Sequence, residues 1–427
     1  MLRIAVLCAT WLWASALLAQ SPSRWADSDD RDLRVSLVTF GPGDAVHQYF
    51  GHNALWVQDD RREEGVLYNF GMFGFGPDML TQYLQGQLMF WSAPTPVQST
   101  FAHYAADNRS VHVQELDLSA ERRRRFAERL EWYVQPDNRY YRYHHYFNNC
   151  STKLRDLIDE ALGGQFKHAY SGRGLFTYRG DTRRYTEHDP VINMLLMLWM
   201  NDFMEQPIRR YDEAFLPPEL ERQVAVMKYR DESGQQVPLV KLQYAVFDAR
   251  RAPVPGTPST VWPRYLAFGL LLGGSALALA LWLRRTRSVI ARVLFGLHQM
   301  LLGLLLGVPG LVATLLLLTK WDVCYYNENL FLANALGMLS FPFGLWAAFG
   351  SHKGLRWLGA VWLALGASTL ALLVLKVLPN FDQDVSIPLA LFVPVNLGCA
   401  LAHYALRKAR VAAAAEVPPA RGLEGAR

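Results

Sequence analysis

Five apolar runs in the last third of the chain constrain its fold more than any other feature. A helix needs about 20 apolar residues to cross the hydrocarbon core of a bilayer. Stretches of that kind occupy Tyr265–Leu283, Val293–Leu318, Leu330–Phe349, Trp357–Leu375 and Ile387–Leu406. Residues 262–410 are therefore expected to form an all-α, five-helix transmembrane domain. Basic residues orient it, because positively charged connections stay in the cytoplasm. Arg284, Arg285, Arg287 and Arg292 fall between the first two runs, Lys353 and Arg356 between the third and fourth, and Arg407, Lys408 and Arg410 after the fifth. The alternate connections, 319–329 and 376–386, hold only Lys320 and Lys376 and are expected outside. Residues 411–427 then form a cytoplasmic tail.

The other end of the chain agrees. Residues 1–20, MLRIAVLCATWLWASALLAQ, hold one Arg, an apolar stretch and small residues before a polar segment. That is the layout of a secretory signal with cleavage near Ala19, an uncleaved anchor being the alternative because Leu17 is a poor residue at −3. Either way residues 21–261 are exported. They carry 28 Lys/Arg against 32 Asp/Glu, which argues against nucleic acid as a partner, since phosphate binding needs clustered positive charge. The exported part divides into a domain at 21–185 and an accessory segment at 186–261, which ends in the Pro-rich linker Ala252–Thr260.

Within the domain, residues 34–40 read as a strand closed by the turn Gly41-Pro42-Gly43-Asp44. His52–Val57 and Val66–Gly71 flank a polar turn and read as a hairpin, and GMFGFG suits a loop packed on the sheet. Residues 111–117 give another strand, and Ser119 opens a helix with apolar positions Phe126, Leu130, Tyr133 and Val134. The run Arg122–Arg125 is expected on its solvated face. In the accessory part, Arg173, Arg179, Arg183 and Arg184 suit either a solvated loop or contact with lipid headgroups. The helix near Val191–Met204 is apolar nearly all round, so it is either buried or rests on the membrane. Asn334 and Asn396, inside apolar runs, need hydrogen-bond partners and are expected to bond between helices.

Cysteine usage narrows the chemistry. Cys8 lies in the leader, Cys324 in an outer loop and Cys399 in the fifth run, so Cys150 is the single thiol of the exported domain. No internal disulfide framework is possible there. A Cys150–Cys324 bridge, a buried structural thiol and a reactive thiol all fit the count. Position favours the last. The segment Asn138–Cys150, NRYYRYHHYFNNC, concentrates five Tyr/Phe, two His and three Asn before a clear helix. That helix places Leu154, Leu157, Ile158, Ala161 and Leu162 on one face and ends at Gly163-Gly164. At a helix N-terminus the free N–H groups and the dipole favour a thiolate and can receive an oxyanion.

A nucleophilic thiol needs a base. The exported domain has eight histidines, at 47, 52, 103, 112, 144, 145, 168 and 188. His52 stands out because it opens a strand whose neighbour presents Asn69. A papain-like site needs a Cys at a helix start, a His on a strand and a polar orienter on the next strand. Cys150, His52 and Asn69 fit those roles with the His first in the chain, a circularly permuted order. Zinc on His144, His145 and Cys150 is the rival, but it lacks HExxH or paired CxxC, and adjacent strand residues point to opposite faces. No cofactor or metal is expected.

The phrases FGHNALWV, VLYNFGMFGF and YHHYFNNCSTKLRDLID resemble the N-terminal periplasmic domain of the Lnb-type lipoprotein intramolecular transacylase family. The outer-loop phrase DVCYYNENLFLANAL is similar to the membrane region that accompanies it, so the resemblance runs along nearly the whole mature chain. The His-then-Cys order is also similar to permuted papain-like enzymes such as the lecithin:retinol acyltransferase and NlpC/P60 relatives. The resemblance implies an α+β exported domain at the outer face of a bacterial inner membrane. It implies movement of an acyl chain from a lipoprotein's diacylglyceryl group to the α-amine of its N-terminal cysteine. Cys150 would form a thioester, His52 would carry the proton and Asn69 would hold the imidazole. Asn149 beside the thiol, and Asp322, Asn327, Glu328 and Asn329 in the outer loop, are candidates to bind the substrate's polar end. A hydrolase acting on lipid or peptidoglycan, a phospholipid substrate, or an inactive membrane sensor are the competing readings.

Overall fold

The computed structural model describes residues 23–74, 76–77, 81–82 and 85–415. The expected signal at 1–20 with Cys8, and the part of the expected cytoplasmic tail beyond 415, lie outside them. The chain forms two compact units. The first comprises the described residues up to 75, Met89–Gly172 and Arg209–Arg251; the second comprises the described part of Gly76–Leu88, Arg173–Ile208 and the chain from Ala252 onward.

The first unit is built on an antiparallel sheet. Its strands are β1 (Leu33–Phe40), β2 (His52–Asp59), β3 (Glu64–Met72), β4 (Met89–Pro96), β5 (Val111–Leu116), β6 (Tyr140–Arg142) and β9 (Val240–Phe247), in the order β6-β4-β3-β2-β1-β5-β9. The short strands β7 (Lys228–Arg230) and β8 (Gln236–Pro238) form a separate ribbon. The expected hairpin is present, with Val57 opposite Val66 and Ala54 opposite Asn69. Both faces of the sheet's centre are covered, which is why every residue of β1 except Arg34 is buried. On one face Leu33, Val35, Leu37, Leu55, Val57 and Phe70 pack on α2 (Ala120–Val134) and α3 (Cys150–Ala161). On the other, Val38, Phe40, Ala54 and Leu67 meet Phe101 and Tyr104 of α1 (Val97–Ala106).

Two expectations about basic residues are corrected in the first unit's frame and the second's. Arg122 pairs with Glu232 at 2.7 Å, Arg123 donates to the Leu118 carbonyl at 2.9 Å, and Arg124 binds Asp30 at 2.5 Å. These guanidiniums fasten neighbouring loops to α2, whereas Arg125 has 65% of its side chain exposed and pairs with Glu121 one turn back on the same helix at 3.6 Å. In the second unit, Arg179 and Arg184 are neither in a loop nor at a surface. They lie on the helix Tyr178–Thr186 with their side chains 2% and 6% exposed, paired with Glu205 at 2.8 Å and Asp181 at 3.0 Å. A buried guanidinium needs a carboxylate and several acceptors. Arg179 also donates to the Met197, Met200 and Asn201 carbonyls.

Residues 186–261, read from sequence as one accessory segment, are shared between the units. The helix Pro217–Val226 and β9 return to the sheet unit, β9 as an edge strand beside β5. The apolar helix of the segment is short, Pro190–Trp199.

Among the described residues the second unit has five helices long and apolar enough to cross a membrane: Trp262–Thr286, Val289–Leu316, Glu328–Ala348, His352–Leu375 and Ser386–Lys408. The first and fifth run close together. A Cβ at Gly273 would come within 2.1 Å of the Pro394 carbonyl oxygen, so only glycine fits there. Asn396 donates to the Leu332 carbonyl at 2.8 Å and to Thr369 at 2.9 Å, bonds between helices as expected. Asn334 acts mainly within its own segment. It divides the 3-10 turns Glu328–Phe331 and Ala335–Leu339, donating to the Leu330 carbonyl at 2.9 Å and accepting from the Leu336 amide at 3.0 Å. Thr314 takes the freed Ala335 amide at 3.0 Å, so the interrupted helix leaves those groups satisfied.

Candidate active site

The site begins with the turn into β2. Gly51 has φ +83°, and a Cβ there would lie 2.8 Å from the Phe40 carbonyl oxygen, so this entry requires glycine. His52 follows, opposite Phe40 on β1, with its ring stacked on Phe40 and parallel to Tyr104. Its Nε2 lies 3.1 Å from Asn69 Oδ1, a diagonal neighbour across the hairpin. The orientation of Asn69 is fixed from behind, since its Nδ2 donates to Thr95 Oγ1 at 2.8 Å. The amide oxygen must therefore face the imidazole, which makes Nε2 the protonated nitrogen and leaves Nδ1 as an acceptor. Thr95 in turn lies 3.1 Å from Thr100, which donates to the Pro96 carbonyl at 2.7 Å.

Cys150 is the first residue of α3, and the reason the helix starts there is Asn149. The Asn149 Oδ1 accepts from the Thr152 amide at 2.9 Å while Thr152 Oγ1 accepts from the Asn149 amide at 2.8 Å, a reciprocal cap. The Asn149 Nδ2 donates to the His145 and Phe215 carbonyls. Beside it, Ser151 donates to Asn53 Oδ1 at 2.7 Å, and Asn53 donates to Thr39 at 2.9 Å. These buried bonds pin the head of α3 to β1 and β2. They bring the half-buried Cys150 thiol against His52, with the Asn53 backbone amide donating to it and the Ser151 hydroxyl oxygen 3.9 Å away. Burial, the largest influence, pushes the thiol pKa up, but the charge and hydrogen bond of His52, with the Asn53 amide and the Ser151 hydroxyl, together bring it down to about 7.

An aromatic wall closes the thiol in. Tyr104, Tyr141 and Tyr143 all have pKa values raised, chiefly by burial, with the thiolate charge of Cys150 adding to it. Gly71, at φ +88° beside a register shift in β3, opens the space between them. A Cβ there would lie 3.8 Å from both the Cys150 Cβ and the Tyr141 hydroxyl.

The remaining sequence candidates have these positions. His144 Nδ1 accepts from the amides of Tyr146 and Phe147. His145 sits among Phe50, Tyr146 and Phe215, where burial lowers its pKa to about 3. Among the described residues no group of three or more His, Cys, Asp or Glu is placed to hold a metal ion. Cys150, Cys324 and Cys399 are free thiols, so the alternative Cys150–Cys324 bridge is not formed. Asp322, Asn327, Glu328 and Asn329 belong to the membrane unit. The Asn327 and Asn329 side chains donate to the Leu198 carbonyl, and Glu328 pairs with Lys376 at 2.8 Å. Asp322 Oδ1 accepts from the Val323 amide at 2.9 Å.

Sequence reasoning missed Thr95, Asn53 and Ser151 as supports of the site. Thr95 lies on a strand, FWSAPTP, whose two prolines argue against strand structure. Ser151 and Asn53 do adjoin the predicted pair, and that adjacency was the available signal.

Residues 22–185 match the family model described as the Lnb N-terminal periplasmic domain. No curated protein and no solved structure matches the chain. Residues 22–185 are thus an Lnb N-terminal periplasmic domain, and with five membrane-length helices after it the chain has the architecture of the Lnb-type transacylase family.

Proposed function

We propose that this protein is a membrane-tethered thiol acyltransferase. It moves an acyl chain from the diacylglyceryl group of a lipoprotein to the α-amine of that lipoprotein's N-terminal cysteine, by way of a thioester on Cys150. The observation that carries the reading is the contact of His52 with a thiol whose pKa lies near 7, inside an Lnb N-terminal domain. The order His52, Asn69, Cys150, with the thiol on a helix and the other two on an antiparallel hairpin, supports a permuted papain-like arrangement.

The steps follow from the residues. The Cys150 thiolate attacks the ester carbonyl carbon while His52 holds the thiol's proton. Collapse breaks the C–O bond, and His52 returns that proton to the departing glyceryl oxygen. The α-amine then attacks the thioester carbon, His52 accepts a proton from the nitrogen, and the thiolate leaves. Asn69 keeps the imidazole in the tautomer and orientation both halves need. Water in place of the amine would make the same site a hydrolase, and the aromatic wall disfavours that by limiting access to the thiol.

The topology suits an ester lying at the outer leaflet of a bacterial inner membrane, with the sheet unit outside and the C-terminus cytoplasmic. Asn149 in the sheet unit and, separately, Asp322, Asn327, Glu328 and Asn329 in the membrane unit are candidates in the same reading to receive the substrate's polar end.

The test is mass spectrometry of a lipoprotein N-terminus from cells lacking their own N-acylation. The chain or its Cys150→Ala variant is expressed in them. A lyso, N-acylated cysteine that depends on Cys150 is the expected product. A triacylated cysteine would move the donor to phospholipid while keeping the amine as acceptor. An unchanged diacylglyceryl cysteine in both strains would overturn the acyltransferase reading in favour of the hydrolase.

A further inference from the structure

We propose that Tyr141 is a catalytic residue of this site, its hydroxyl donating to the oxyanion that forms when Cys150 attacks a carbonyl; the inference rests on the thioester reading above. The first support is a hydroxyl without employment. The Tyr141 oxygen is buried and is approached by the Gly71 amide, yet its proton finds no acceptor among the described residues. Buried hydroxyls are nearly always paired, and an exception calls for a cause.

The second support is where that proton is available. The point that a Cβ on Gly71 would occupy is equidistant, at 3.8 Å, from the Cys150 Cβ and the Tyr141 hydroxyl. Gly71 therefore leaves open a small space bounded by the nucleophile on one side and an unused donor on the other. The amide of Cys150, at the first position of α3, is one of those that a helix cannot satisfy internally. Two donors from different elements then converge beside the attacking sulfur, which is what a tetrahedral oxyanion requires.

The third support is electrostatic. The Lys153 ammonium lies 5.0 Å from the centroid of the Tyr141 ring, and a cation over the ring strengthens its hydroxyl as a donor. Burial, and then the thiolate, raise the Tyr141 pKa, so the hydroxyl keeps its proton throughout the range in which Cys150 ionises. The neighbouring tyrosine is differently used, since the Tyr143 hydroxyl lies 3.5 Å from His145 Nδ1. In the attack the C=O π pair moves onto oxygen, where Tyr141 and the Cys150 amide receive it. It returns to carbon as the leaving oxygen departs with the proton from His52. Tyr141 itself neither gains nor loses a proton.

The experiment compares full-length wild type with Tyr141→Phe, Tyr140→Phe and Cys150→Ala in detergent, using two probes. Release of p-nitrophenol from a p-nitrophenyl alkanoate reports acylation, which builds an oxyanion. Alkylation by iodoacetamide across pH reports the thiolate alone, because displacement at its CH2 builds none. Tyr141→Phe is expected to slow acylation by about 10²–10³-fold with the alkylation profile of Cys150 in place and Tyr140→Phe, at an exposed neighbour, near wild type. Wild-type acylation by Tyr141→Phe overturns the inference alone. So does an upward shift of its alkylation profile large enough to account for the lost acylation, because Tyr141 would then act on the thiolate. Acylation by Cys150→Ala at the wild-type rate, or none by wild type, overturns the thioester reading and this inference with it.

Discussion

Cys150 and Cys324 show what a neighbour does to a shielded thiol. Cys324 is buried in the 3-10 turn Asp322–Cys324, where burial, and then the charge of Asp322, push its pKa up to about 12. Cys150 is also shielded, and burial acts on it in the same direction, yet its pKa comes down to about 7. The difference is His52, together with the Asn53 amide and the Ser151 hydroxyl. Burial by itself silences a thiol. A fixed imidazole beside it reverses the sign.

The comparison breaks most visibly at the thiols themselves. Cys150→Ala should lower acyl transfer about 10⁴-fold or more, while Cys324→Ala leaves it within a few-fold, read by the mass of the lipoprotein N-terminus. Equal losses in the two variants would end the distinction drawn here. Removing the cause is the next test. His52→Ala should slow transfer by about 10²–10⁴-fold. It should also move half-maximal alkylation of Cys150 from near pH 7 up to or beyond the ordinary thiol range of about 8.5. An alkylation profile that stays put would assign the lowered pKa to the head of the helix instead.

A smaller effect tests the support behind His52. Thr95→Val removes the acceptor that orients Asn69 and should cost about tenfold in kcat with KM little changed, whereas Thr95→Ser restores it. His112, on β5 two strands along the sheet from β2, offers a control on charge. It lies 2.8 Å from Glu221 and 3.1 Å from Asp248, and the hydrogen bond to Glu221, opposed by partial burial, raises its pKa to about 9. A raised pKa stabilises the fold fully below pH ~6.5 and loses that contribution as pH climbs through about 9. With 35% of the side chain exposed, roughly 1 kcal/mol is expected after solvent screening. Thermal melts at pH 6 and pH 9.5 should differ less in His112→Gln than in wild type.

How much of this was legible in the sequence follows from how local each signal is. The five spans, the β2–β3 hairpin and α3 carry their own periodicity, and Cys150 announces itself by preceding a clean amphipathic helix. The pairing of His52 with Asn69 needed only the hairpin's alternation. What stayed hidden depends on distant partners. Arg179 reads like any surface arginine until Glu205 and three carbonyls surround it. Thr95 gains meaning only from an amide 26 residues earlier. β9 was obscured because an exposed edge strand lacks the buried face that produces a pattern.

The order of the chain through the sheet unit bears on how the protein is made. Asn149, which starts α3, is held by the Phe215 carbonyl, and the outermost strand lies at Val240–Phe247. Yet Arg173–Ile208, which comes between, belongs to the other unit. A chain emerging from the export channel therefore cannot finish its sheet unit at residue 185, where the family match ends. It must wait about 60 further residues for β9, at elongation rates of roughly 5–20 residues per second. A secreted fragment truncated at the family boundary would lack that last strand and the Phe215 carbonyl, leaving the head of α3 short of an anchor.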